Sequence, residues 1–276
     1  MKNKIVKISD ISIANDLPLA VIAGSCVIES REQVLTLAAK LKEIAASCGM
    51  PFIYKSSFDK ANRSSIDSYR GVGIEKGLQI LSDVKRELKV PVLTDVHNEE
   101  QAARAAKFVD IIQVPAFLSR QTDLLISCAK TGIPVNIKKG QFLAPLDMKN
   151  VIEKCERSGT DKITLTERGF SFGYNNLVVD FRSIEIMKSF SYPVIFDATH
   201  SVQLPGAGGN KSGGNRDFVL PLSKAAAAVG IAAIFLETHE NPDVALSDGA
   251  NSVNLEQFEK ILKTVKKIDT AVKNEK

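Results

Sequence analysis

Charge of one sign is missing from this 276-residue chain: 36 Lys and Arg against 32 Asp and Glu leave a formal net charge of +4, with the basic residues scattered among acidic neighbours. That balance argues against a nucleic-acid-binding surface. Long hydrophobic runs are also absent, and no window approaches the roughly 18 consecutive apolar residues of a membrane span. The start, Met1-Lys-Asn-Lys-Ile-Val-Lys7, is polar where a signal peptide would be apolar. Cysteine is sparse, and Cys26, Cys48, Cys128 and Cys155 show no paired spacing such as C-x-x-C. These absences predict a cytoplasmic protein with reduced thiols and no membrane or nucleic-acid partner. No linker or low-complexity tract divides the chain, and the G-x-x-x-x-G-K-[ST] spacing of a P-loop does not occur.

What is present is alternation. Short apolar runs recur at Leu19–Ala23, Phe52–Tyr54, Val92–Thr94, Ile111–Val114, Val135–Ile137, Ile163–Leu165, Val194–Phe196 and Ala233–Leu236. Amphipathic stretches lie between them, among them Arg31–Ala46, Ile74–Leu88, Asp123–Lys130, Lys149–Arg157 and Phe218–Val229, with a last one at Leu255–Val272. In the first, Val34, Leu37, Leu41 and Ile44 recur three and four apart, the spacing of a buried helical stripe. Eight such repeats in about 255 residues match a closed (β/α)₈ TIM barrel. A doubly wound open sheet is disfavoured, because Gly24-Ser-Cys-Val-Ile-Glu29 stands where a Rossmann Gly-rich turn would follow the first strand. The expected organisation is one α/β barrel domain over residues 1–276. Residues 1–18 form an N-terminal extension, read as a β-hairpin capping the barrel bottom on the weak alternation of Ile5, Val6, Ile8, Ile11 and Ile13.

Side chains just past the carboxyl ends of barrel strands face one shared site. The segment Lys55-Ser-Ser-Phe-Asp-Lys60-Ala-Asn-Arg63-Ser-Ser65 directly follows a short apolar run. Cations and small hydroxyls at a strand end suit a phosphate, since lysine offers a point charge and arginine a planar fork. A solvated basic loop is the plainer reading of that segment alone. The other strand ends add Cys26, Asp95, His97, Gln113, Lys138, Lys139, Gln141, Glu167, Arg168, Asp197, His200, Glu237 and His239, so all three histidines fall on one rim. Lys55, Lys60, Arg63, Lys138 and Arg168 would share a bowl whose repulsion anionic ligands would relieve. Cys26, His200, Glu237 and Asp248 form a conceivable divalent-metal set, with sulfur favouring Zn²⁺ or Fe²⁺ over Mg²⁺. Equally open at this point is a small buried Cys26 and an Asp248 that begins a turn. The Gly-rich segment from Leu204 to Arg216 reads as a functional lid.

These residues carry a resemblance to the 3-deoxy-D-manno-octulosonate 8-phosphate (Kdo-8-phosphate) synthases. It runs through Lys55–Ser65, Ile112-Gln-Val-Pro-Ala-Phe-Leu118, Asn136-Ile-Lys-Lys-Gly-Gln-Phe-Leu-Ala-Pro145 and Leu165-Thr-Glu-Arg-Gly169. It continues through Phe172–Asp180 and Asp197-Ala-Thr-His-Ser-Val-Gln203. The resemblance implies a cytoplasmic homotetrameric barrel and transferase that condenses phosphoenolpyruvate with D-arabinose 5-phosphate for lipopolysaccharide synthesis. It implies that Lys60, Lys138 and Arg168 hold phosphoenolpyruvate, that Asn62, Arg63 and Ser64 take the pentose phosphate, and that Lys55, Gln113 and His200 complete the substrate site. Asp95, His97, Lys60 and Asp248 are the implied catalytic candidates. Cys26, in Ala23-Gly-Ser-Cys-Val-Ile-Glu-Ser30, resembles the metal-requiring branch, where the metal-free branch has Asn. His200, Glu237 and Asp248 then complete a site for a divalent ion (Zn²⁺, Fe²⁺ or Mn²⁺). Ser25 departs from the Pro found in many metal-requiring relatives.

Three other readings compete. One is the synthase that uses erythrose 4-phosphate to make 3-deoxy-7-phosphoheptulonate, which usually carries Lys-Pro-Arg-Thr where Lys60-Ala-Asn-Arg63 stands here. The second is a Schiff-base aldolase on Lys138, and the third a non-catalytic sugar-phosphate-binding barrel.

Overall fold

Eight strands pair in parallel and close on themselves in the computed structural model, which describes residues 3–207 and 213–274. The antiparallel hairpin β1 (Val6–Ile8) and β2 (Ile11–Ile13) comes first. The barrel then runs β3 (Ala20–Gly24), β4 (Phe52–Lys55), β5 (Val92–Asp95), β6 (Ile111–Val114), β7 (Val135–Lys138) and β8 (Ile163–Glu167). After a small hairpin, β9 (Phe170–Ser171) with β10 (Leu177–Val178), the barrel resumes with β11 (Val194–Asp197). A second small hairpin, β12 (Gln203–Leu204) with β13 (Gly213–Gly214), precedes β14 (Ala233–Glu237), which pairs with β3 and closes the ring. The expected barrel is therefore observed. The lid read over Leu204–Arg216 falls partly on residues 208–212, outside the described residues.

Helices α1 (Arg31–Ser47), α2 (Ile74–Leu88), α3 (Glu99–Ala105), α4 (Thr122–Lys130), α5 (Met148–Arg157), α6 (Arg182–Lys188), α7 (Val219–Val229) and α8 (Leu255–Asn274) follow the barrel strands in turn. In α1 the Ser30 side chain accepts from the Gln33 N–H and caps the first turn, while Val34, Leu37, Ala38, Leu41 and Ala45 are buried. The short helices α3 and α6 were not among the sequence-read stretches. Seven residues each span only two turns, too few for a convincing stripe.

Alternation along the strands decides where chemistry is possible. Ile22, Ile53, Leu93, Ile111, Ile195 and Phe235 belong to one buried cluster inside the barrel, together with Val6, Ile8 and Ile13 of the N-terminal hairpin. The hairpin thus fills the barrel bottom, as expected. Their strand neighbours Val21, Val92, Ile112, Val194 and Ile234 belong to the outer cluster that packs on the helices. Two residues further along each strand, on the same inner side, stand Gly24, Lys55, Asp95, Gln113, Asp197 and Glu237. The interior therefore changes from apolar to polar in one two-residue step. For this reason most strands run one or two residues beyond the apolar runs that mark them in sequence. Their last residues are charged yet still paired in the ladder. Gly24 ends β3 because a Cβ there would lie 1.9 Å from the Lys55 carbonyl oxygen.

Candidate active site

The polar ends of the strands and the loops beyond them enclose a cavity of about 1220 Å³. Lys55, Lys60, Asn62, Arg63, Ser64, Asp95, His97, Gln113, Lys138, Arg168, His200 and Asp248 all line it. Asn62 and Ser64 are exposed, while Lys55, Asp95, Gln113, Lys138 and Arg168 are buried at its floor. Among the described residues Gln113 Oε1 is buried without a hydrogen-bond partner.

The floor cations are not bare. Lys138 Nζ donates to Asp197 Oδ2 at 2.5 Å, Lys55 Nζ lies 3.5 Å from Asp95 Oδ1, and Lys60 Nζ lies 3.6 Å from Glu237 Oε1. The repulsion expected among these cations is thus partly met by carboxylates from the same strand ends. Burial pulls the Lys138 ammonium below its ordinary pKa, with Asp197 opposing. Burial also works against the charge on Lys60, but Cys26, Glu237, Asp95 and Asp248 outweigh it and hold that lysine well above the usual range. Arg168 Nη2 donates to Gln203 Oε1 at 2.7 Å, and its buried Nη1 has no hydrogen-bond partner among the described residues. A buried guanidinium nitrogen left unpaired is costly, and an anionic ligand is its natural partner.

Asp95 also pairs with His97, whose Nε2 stands 3.1 Å from Asp95 Oδ2. The His97 backbone N–H donates to Gln101 Oε1 at 2.8 Å, and His97 Nδ1 lies 3.1 Å from the same oxygen. Ser57 receives a hydrogen bond from Lys55 Nζ at 2.8 Å and donates to Asp95 Oδ1. Burial would raise the Asp95 pKa, but Lys55, the His97 hydrogen bond and Lys60 hold it well below the usual carboxylate range.

The metal-ligand candidates converge from both ends of the chain. One ligand atom each from Cys26, Glu237 and Asp248 lies within 4.8 Å of the others. His200 Nε2 stands 3.4 Å from Glu237 Oε1 and 3.7 Å from Asp248 Oδ2. Neither Glu237 oxygen accepts a hydrogen bond among the described residues, although the residue is buried. His200 and the nearby lysines nevertheless hold its carboxyl down to about 2, against the opposing effect of burial. Burial, then Asp248 and Glu237, push the Cys26 thiol well above its ordinary value. A thiol, an imidazole and two carboxylates, with orphaned buried oxygens facing inward, fit a divalent transition ion. Ser25 sits beside them with its hydroxyl 2.9 Å from Ser56 Oγ.

Three rim residues named from sequence lie elsewhere. Strand alternation puts Lys139 and Glu167 on the outer side, where they pair at 3.6 Å and Glu167 accepts from the Arg168 and Gly169 N–H groups. His239 follows the end of β14, where Thr238 bridges to Val253 and the alternation stops. Its Nδ1 accepts from the Asn241 N–H at 3.0 Å and its Nε2 faces Glu29 at 3.5 Å. Only His97 and His200 share the cavity. Sequence reasoning gave no role to Gln203 or Ser247. Gln203 Nε2 donates to Asp248 Oδ2 at 3.1 Å, and Ser247 Oγ lies 2.7 Å from Arg63 Nη1 and 3.0 Å from Cys26 Sγ. Gln203 closes the Asp197–Gln203 motif, which was the available signal.

The model of the DAHP synthetase I family matches residues 2–274. The chain belongs to this family. A relative from an Azoarcus species is 59% identical over 261 residues, covering 94% of each chain. One from Trichlorobacter lovleyi is 55% identical over 270 residues, covering 98% of this chain and 99% of the relative. One from Bartonella bacilliformis is 53% identical over 273 residues, covering 99% and 97%. Each is named 2-dehydro-3-deoxyphosphooctonate aldolase. Among the described residues no helix is long and apolar enough to cross a membrane.

Proposed function

We infer that the chain is a Kdo-8-phosphate synthase, a transferase that joins phosphoenolpyruvate, D-arabinose 5-phosphate and water into 3-deoxy-D-manno-octulosonate 8-phosphate and releases inorganic phosphate. The observation that carries this is the convergence of Lys60, Lys138 and the half-satisfied Arg168 on one cavity floor, in a chain whose nearly full-length relatives bear the octonate name. We assign the three cations to the phosphate and carboxylate of phosphoenolpyruvate, and Asn62, Arg63 and Ser64 at the cavity mouth to the pentose phosphate.

Holding both substrates in one cavity makes carbon–carbon bond formation effectively unimolecular. Carbon 3 of phosphoenolpyruvate attacks the aldehyde, water adds at carbon 2, and the resulting hemiketal phosphate loses phosphate by carbon–oxygen cleavage. Lys60, Lys138 and Arg168 stabilise charge that shifts toward the departing phosphate. We assign to the His97–Asp95 pair the proton that the new alkoxide takes up, and to Asp248 the proton released by water. We place the chain in the metal-requiring branch, with Cys26, His200, Glu237 and Asp248 as the ligands. When bound there, a divalent ion (Zn²⁺, Fe²⁺ or Mn²⁺) supplies a Lewis acid that orients and polarises the aldehyde.

The test is phosphate release from phosphoenolpyruvate with each of two aldehydes. Arabinose 5-phosphate is expected to support turnover at least ~10²-fold better than erythrose 4-phosphate, because groups placed for an absent hydroxyl are left unpaired. Preference for the four-carbon aldehyde would reverse the assignment in favour of the heptulonate synthase. Borohydride trapping is expected to leave no adduct on Lys138, whose ammonium is tied to Asp197.

We also propose a cytoplasmic homotetramer. Exposed Phe117, Phe142, Leu146, Phe172 and Tyr174, the last 98% exposed, lie on segments that follow the consecutive strands β6, β7 and β8. Such an apolar surface calls for cover, and a second copy of the chain is the occupant we assign. Light scattering after size exclusion is expected to give four times the chain mass; a monomer at micromolar concentration would refute it.

A further inference from the structure

The anion-binding cations and the metal-ligand candidates are joined by two side chains. Asp197 Oδ2 lies 2.5 Å from Lys138 Nζ and 2.7 Å from His200 Nδ1. Gln203 accepts from Arg168 Nη2 at 2.7 Å through Oε1 and donates to Asp248 Oδ2 at 3.1 Å through Nε2. We propose that Asp197 and Gln203 are positioning residues that couple the two subsites, so that phosphoenolpyruvate and the divalent ion each tighten binding of the other. The proposal rests on the metal reading above.

The chemistry of each bridge sets its direction. A guanidinium can only donate and a carboxylate can only accept, so the Gln203 amide has a single orientation that satisfies both neighbours. Arg168 Nη1 has no hydrogen-bond partner among the described residues, so an anion can bind there while Nη2 keeps its bond to Gln203. An anion that immobilises the guanidinium therefore immobilises the amide, and through it the Asp248 carboxylate. Asp248 benefits from such support, because its backbone takes φ +50°, a left-handed conformation that a residue with a side chain adopts at a cost. Its carbonyl is held by the Ser252 N–H, but its side chain relies on neighbours such as Gln203.

At the second bridge His200 Nδ1 faces Asp197 Oδ2 at 2.7 Å, so the tautomer a metal ligand needs carries its proton on Nδ1, beside that carboxylate. That leaves the lone pair of Nε2 directed at the space between Glu237 and Asp248. Lys138 competes with His200 for the same carboxylate oxygen. When an anion draws on Lys138, more of the Asp197 charge is left to His200, and Nε2 becomes the stronger donor. Both bridges thus act in the same sense. Linkage then requires the ion to tighten anion binding by the same factor.

The experiment is a titration of wild-type apoprotein with Co²⁺, followed by the thiolate-to-cobalt absorption band. It is run with and without phosphoenolpyruvate and with no aldehyde present, so that nothing turns over. Gln203→Met keeps the side-chain volume and removes both hydrogen bonds. It is expected to weaken binding of Co²⁺ alone by a few-fold, through the lost support of Asp248, and beyond that to lose about fivefold or more of the enhancement caused by phosphoenolpyruvate. Asp197→Asn is expected to weaken Co²⁺ binding itself by about 10- to 100-fold. Because that buried substitution carries a folding risk, Gln203→Met is the deciding variant. An enhancement in Gln203→Met equal to wild type would overturn the coupling while leaving the metal reading intact. Absence of the cobalt band in wild type would overturn both.

Discussion

Cys26→Ala is expected to retain no divalent ion after dialysis and to turn over at least ~10²-fold more slowly than wild type, a larger loss than removal of an outer-sphere partner produces. The thiol lies 3.5 Å from Asp248 Oδ2 and close to Glu237, so its removal takes one wall from a compact donor set. It contributes little to packing that alanine would not restore. A melting temperature near that of the wild-type apoprotein is therefore expected alongside the lost activity. Metal content measured together with phosphate release checks the claim. Undiminished activity of Cys26→Ala in the presence of chelator would reduce this cysteine to a packing residue and remove the metal from the mechanism.

Lys138→Met should damage both chemistry and stability. The ammonium is buried and pairs with Asp197, a residue with no solvent exposure. Removing one partner of a buried ion pair strands the other, at a cost of about 3 kcal/mol, the low end of the usual range because His200 still faces the carboxylate. The floor also loses one of the charges assigned to phosphoenolpyruvate, for which a fall in kcat/KM of about 10³-fold is expected. Chemical denaturation and steady-state kinetics read the two effects separately. A stable variant with ordinary kinetics would remove Lys138 from the substrate site. Lys138→Arg is expected to recover part of the stability and little of the rate, since a planar fork cannot reproduce a point charge held at 2.5 Å from one carboxylate oxygen.

Much of the barrel was legible because each strand carries a short apolar run and each long helix a stripe. What misled the sequence reading was parity. Lys55, Asp95, Lys138, Arg168, Asp197 and Glu237 look like loop residues in sequence because charge usually marks solvent. Here they continue the inward alternation that begins with residues such as Ile53, Leu93, Asn136, Thr166, Ile195 and Phe235. Applied from the start, that alternation would have assigned Lys139 and Glu167 to the outer side. His239 would still have escaped it, because the strand ends at Glu237. The Cys26, His200, Glu237 and Asp248 set has no spacing to read, as only barrel closure brings position 26 beside position 248. The bridging roles of Asp197 and Gln203 depend on hydrogen-bond partners that no periodicity encodes.

The two-residue step from Ile53, Leu93, Ile195 and Phe235 to the charged layer above them has a consequence for how this protein can change. Roughly 7 Å along a strand separates a residue that packs the barrel bottom from one that faces the ligands, near the distance at which mutational effects become additive. Many enzymes trade robustness against rate because the same side chains serve both ends. In this barrel the two demands occupy different storeys, and selection or engineering can reinforce the lower one while leaving the turnover of the upper one untouched.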